Sequence, residues 1–79
     1  MAKTTFTSRF GAVIRKRRTS LGVSQEEFAD QAGLHRTYIS LVERGLRNPS
    51  LTVIERLAVA LGTKASTLIQ EVEDSGKGR

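Results

Sequence analysis

The stretch HRTYIS, residues 35–40, sets an imidazole, a guanidinium, two aliphatic hydroxyls and a phenol within six positions. On a helix Arg36 and Ser40 stand one turn apart, so their polar ends emerge close together. These groups donate and accept hydrogen bonds, and Arg36 presents a planar fork that matches a pair of acceptors on one partner. Bond-making chemistry lacks its parts. The chain has one histidine, no cysteine and no spaced pair of carboxylates with an obvious pocket, which argues against an enzyme. With no second histidine and no thiolate, His35 is not read as a metal ligand, and no cofactor is expected.

Charge placement extends this reading. The 79 residues carry a formal net charge of +5 with a pI of about 10.5. Residues 1–25 hold Lys3, Arg9, Arg15, Lys16, Arg17 and Arg18 and no acid, and residues 31–54 hold Arg36, Arg44 and Arg47 against Glu43 alone. Acids gather at Glu26, Glu27 and Asp30 and again at Glu71, Glu73 and Asp74. Such asymmetry suits a polyanion, nucleic acid before an anionic membrane; a solvated basic face is the alternative. The opening MAKTTFTSRF has no signal-peptide apolar core, and no stretch is apolar enough to cross a bilayer. A soluble cytoplasmic protein with no membrane partner and no small-molecule ligand is the expectation.

The elements that must position these groups are helices. Phe10, Val13, Ile14 and Leu21 fall on one face of a first helix over residues 7–21, stopped by Gly22. Ser24 and Glu27 form a capping box for a second helix over residues 25–32, burying Phe28, Ala29 and Ala32. A third starts near residue 35 or 36 and ends at residue 44, with Tyr38, Ile39 and Val42 spaced for packing and Gly45 as its stop. Pro49 keeps Asn48 out of a helix and Ser50 caps a fourth helix over residues 51–61, with Leu51, Ile54, Leu57, Ala58 and Leu61 inward. A fifth covers residues 65–73 with Ala65, Leu68, Ile69 and Val72 on one stripe. The expected class is all-α: one five-helix domain over residues 7–73, a flexible arm over 1–6 and a disordered tail over 74–79.

Helices two and three share one glycine and almost no linker. A helix-turn-helix joins two helices at a right angle or wider through three or four residues, and its turn needs a left-handed position that glycine adopts without cost. Gly33 supplies it, Ala29 keeps the helices close, and Leu34 is placed to plug the corner. A helical hairpin used only as scaffold has no need of the polar tip HRTYIS.

Residues 10–70 resemble the lambda-repressor-like (Cro/C1, XRE-type) helix-turn-helix family through SQEEFADQAG, YISLVERGLRNPS and LAVALG. Within it, FGAVIRKRR, GLHRTYIS and ERGLRNP most resemble the controller proteins of restriction–modification systems. The resemblance implies a compact lambda-repressor-like bundle and a regulator of transcription that binds double-stranded DNA. An antitoxin-type or phage-type repressor shares the motif, and a protein-interaction module on the same fold is the rival from another class. In this fold the second helix of the motif enters the major groove with its N-terminal residues on base edges. The base-reading set is then Arg36, Thr37, Ser40 and His35, with phosphate clamping the alternative for Arg36 and capping that for His35. Gln25, Tyr38, Arg44, Arg47 and Asn48 are the phosphate-binding set, and within the controller resemblance Arg47 is placed to reach a base instead. The resemblance also implies an ion pair between Arg18 and Glu43. One module touches few bases, so a homodimer on a palindromic operator is expected, with Val53, Ala60, Ile69 and Val72, and the neighbouring Val59, as interface candidates. RNA polymerase is a candidate further partner.

Overall fold

A computed structural model describes residues 5–76. Five helices follow one another: α1 Phe6–Ser20, α2 Gln25–Ala32, α3 Arg36–Glu43, α4 Leu51–Ala60 and α5 Ala65–Ser75. Helix α1 packs on α3 and α5, α2 on α3 and α4, and α4 on α5, so each helix has two neighbours or more around one core. Phe28, Ile14, Ile39, Leu57, Leu68, Val42 and Val72 are sealed inside it.

Local signals account for most boundaries. Thr5 caps α1 in a capping box with Ser8, each side chain meeting the other's backbone N–H at 3.0 Å. Thr5 and Phe6 therefore belong to the domain and not to the expected arm; residues 1–4 lie outside the described residues. At the far end α5 continues to Ser75, two residues past the expected stop, with Gln70 Nε2 donating to Asp74 Oδ1 at 3.0 Å and Ser75 Oγ to the Val72 carbonyl at 2.7 Å. Asp74 and Ser75 are thus helical, and the remainder of the expected tail beyond Gly76 is outside the described residues.

Two apolar residues depart from the expected faces, and a third keeps its face but not its expected second role. Leu21 is 55% exposed, because α1 ends at Ser20 and Leu21 occupies the cap. Val23 packs against the core in its place, in the chain reversal closed by Gly22 N–H to the Thr19 carbonyl at 3.0 Å. Leu51 opens α4 and is 85% exposed, while Val53 and Ile54 of the same turn pack against the core, so the first residue of α4 points outward. Val72 is wholly buried between α5 and the rest of the core. It cannot lie on a dimer surface without unpacking the protomer, so Val72 belongs to the core and not to the expected interface.

Candidate nucleic-acid interface

The corner between α2 and α3 is built as the motif requires. Gly33 has φ +71°, and the Leu34 N–H reaches the Ala29 carbonyl at 2.8 Å while the Gly33 N–H reaches that of Asp30 at 3.2 Å. These two bonds satisfy the last carbonyls of α2 and turn the chain sharply. A Cβ on Gly33 would meet only Arg56 Nη1, at 3.9 Å, so backbone conformation rather than space demands glycine here. Ala29 is buried, and Leu34 packs against the core as the plug.

A second constraint fixes α3 and has no counterpart in the sequence reading. Gly11 is buried in the middle of α1, where a Cβ would overlap the Val42 carbonyl oxygen and lie 2.9 Å from that of Glu43. The backbones of α1 and α3 therefore touch. A glycine inside a helix costs about 1 kcal/mol relative to alanine, and that cost was the available signal of a close approach.

The buried ion pair implied by the family resemblance is present. Arg18 Nε donates to Glu43 Oε2 at 2.6 Å and Nη2 to Oε1 at 3.1 Å, with side-chain exposures of 11% and 3%. Arg18 Nη1 also donates to the Val23 carbonyl at 2.8 Å. The guanidinium thus ties α1 to α3 and to the chain reversal before α2. Arg17 pairs with Glu71 at 2.7 Å, both about one-third exposed, and links α1 to α5.

With about 100° between successive residues, Arg36, Ser40, Arg44 and Thr37 occupy an arc of about 100° on α3 and its C-terminal cap. Arg36, Thr37 and Arg44 are exposed and Ser40 is half-buried, while Ile39 and Val42 on the other side are sealed in the core. His35 is the exposed N-cap residue and its side chain makes no capping hydrogen bond. Tyr38 is set apart from this arc: it is half-buried against the core, and the Arg47 guanidinium stands 5.7 Å from its ring centre. Asn48 is exposed on the same loop as Arg47.

Gln25 opens α2 and is half-buried, and its Nε2 donates to Glu43 Oε1 at 3.0 Å. Its side chain is therefore held by the buried ion pair, which the sequence reading did not anticipate. Of the acids on α2, Glu27 accepts through Oε1 from the Ser24 N–H at 2.9 Å in the capping box, and Glu26 and Asp30 line the cleft between α2 and the start of α3. Of the expected dimer residues, Val53, Ala60 and Ile69 are half-buried against their own core, and Val59 is 73% exposed.

A sealed core thus stands behind a short helix that carries arginine and hydroxyls on its outer side. The family model HTH_3, helix-turn-helix, matches residues 14–68. This chain belongs to the XRE-type helix-turn-helix family of DNA-binding transcriptional regulators. It is 42% identical over 66 residues to the control protein C.MunI of Mycoplasma sp, covering 82% of this chain and 89% of that one. It is 48% identical over 61 residues to the control protein C.BamHI of Bacillus amyloliquefaciens, covering 76% and 75%. The crystal structure of the restriction–modification controller C.AhdI from Aeromonas hydrophila superposes with a TM-score of 0.77 at 45% identity, covering 78% of this chain and 94% of that one. Among the described residues, no helix is long and apolar enough to cross a membrane.

Proposed function

We propose that this regulator is a controller of a restriction–modification system, acting in the cytoplasm as a homodimer on a palindromic operator. The observation that carries the proposal is the polar arc of α3, exposed in front of a helix pinned by Gly11, Gly33 and the Arg18–Glu43 pair. An α-helix fits the major groove, where each base pair presents a distinct set of donors and acceptors. Arg36 reads a guanine through O6 and N7, and Thr37 and Ser40 meet neighbouring base edges, with His35 at the tip. Gln25, Arg44, Arg47, Asn48 and the Tyr38 phenol hold the backbone and set the register. The similarity to control proteins at 42% and 48% identity supports the restriction–modification role.

A twofold pair places two α3 helices about one DNA turn, roughly 34–36 Å, apart. A protomer of 35 × 24 × 23 Å is compatible with that spacing. Val59, 73% exposed, with the half-buried Val53, Ala60 and Ile69, supplies apolar surface for the contact. Selection of bound sequences from random duplex DNA tests the proposal. The expected product is an inverted repeat whose preference at one base pair per half-site is lost in Arg36→Ala. A uniform fall in affinity across all sequences would remove Arg36 from base reading.

A further inference from the structure

We infer that Glu43 is a positioning residue for DNA binding: its buried carboxylate, already paired with Arg18, fixes the Gln25 amide so that one N–H points away from the protein toward a phosphate. The inference rests on the proposed phosphate contact of Gln25 and deepens it. An ionised carboxylate only accepts hydrogen bonds, so the end of the Gln25 amide facing Glu43 must be the nitrogen. One of its two hydrogens goes to Glu43 Oε1 at 3.0 Å. A phosphate oxygen also only accepts, so the second hydrogen on that nitrogen is the group a phosphate can use.

The carboxylate is itself held in place. Arg18 grips it through two nitrogens, at 2.6 and 3.1 Å, and Glu43 is 3% exposed. The Gln25 side chain thus loses its rotational freedom before DNA arrives, and the ordering cost of that contact falls. Three helices meet at one carboxylate: Arg18 from α1, Gln25 from α2 and Glu43 from α3. The geometry that orients α3 in the groove therefore also sets the backbone contact at the start of α2.

The test is a double-mutant cycle on duplex DNA, combining Gln25→Ala with the apolar replacement Arg18→Met plus Glu43→Leu. Replacing both charges by apolar groups keeps such cores folded more often than removing one. Gln25→Ala in the natural protein should weaken binding about tenfold on every sequence, the factor of one charge-assisted hydrogen bond. The apolar pair should lose part of that affinity uniformly, keep the base preference, and shrink the cost of Gln25→Ala. A full tenfold cost of Gln25→Ala in the apolar background would overturn the inference. So would a loss confined to particular base pairs, which would mean that α3 had merely moved.

Should the apolar pair fail to fold, Glu43→Gln serves: its single acceptor oxygen is contested by Arg18, so the cost of Gln25→Ala should shrink, and an undiminished cost refutes the idea. Side-chain amide resonances of the protein without DNA provide an independent reading. Gln25 should show one shifted, exchange-protected N–H, the one bonded to Glu43, beside one that exchanges freely, and both should revert to free-glutamine behaviour when Glu43 is changed; free-glutamine signals in the natural protein would refute the hold by Glu43. If the natural protein binds no duplex at all, the proposed function falls, and these resonances still decide whether Glu43 holds Gln25.

Discussion

Gly11→Ala is the sharpest perturbation the fold offers. Helix propensity alone favours the change by about 1 kcal/mol. The added Cβ, however, would overlap the Val42 carbonyl and sit 2.9 Å from the Glu43 carbonyl, where ordinary contact begins at 3.4 Å. Both obstacles are backbone, so no side-chain rotation relieves them, and α1 and α3 must separate. Overpacking of this kind costs about 1–3 kcal/mol, and backbone overlap puts it at the upper end. The net expectation is a loss of about 2 kcal/mol, or about 8–16 °C in Tm for a domain of this size. Thermal and denaturant unfolding followed by circular dichroism measure it. Gly22→Ala is the control, since its Cβ meets nothing within 4 Å and only the φ of +73° resists it. Gly11→Ala should therefore be the more damaging of the two. A Gly11→Ala variant as stable as the natural protein, or more so, would refute the claimed contact between α1 and α3.

Three further outcomes are expected. Ser24→Ala removes the hydroxyl that accepts from the Glu27 N–H at 3.0 Å, and should cost about 1 kcal/mol in a urea titration. Glu43→Leu alone leaves Arg18 buried without its carboxylate and should lose about 3–5 kcal/mol, most of it recovered when Arg18→Met is added; equal stability of the single and double variants would contradict the ion-pair account. Val59→Glu changes a residue that is 73% exposed and should leave monomer stability within about 0.5 kcal/mol while abolishing the dimer in equilibrium sedimentation. A dimer that survives this change would place the interface elsewhere.

Much of the fold was legible because its signals are local. Ser24 with Glu27, Ser50 before α4 and Gly33 at the corner act within one turn of the chain, and each sits where its chemistry requires. Leu21 and Leu51 were misread, and Val72, rightly set on the apolar stripe of α5, was also assigned to a dimer surface, because helical spacing says which residues share a face but not where that face ends or how much of it the rest of the chain covers. The polar tip of α3 was legible from residue type alone, since hydrogen-bonding groups crowd an otherwise packed helix. The tether on Gln25 and the demand for glycine at position 11 were not. Each depends on residues from different helices meeting in space, which single-helix periodicity does not contain.

Base reading by Arg36 and its neighbours on α3, in the major groove, is what we propose for this chain. Methylation interference on a selected operator tests it most directly, because dimethyl sulfate marks guanine N7 in the major groove and adenine N3 in the minor groove. N7 methylation of one guanine per half-site should block binding of the natural protein and have no effect on Arg36→Ala. Binding that tolerates every methylated guanine N7, or is blocked only by methylated adenine N3, would contradict the account.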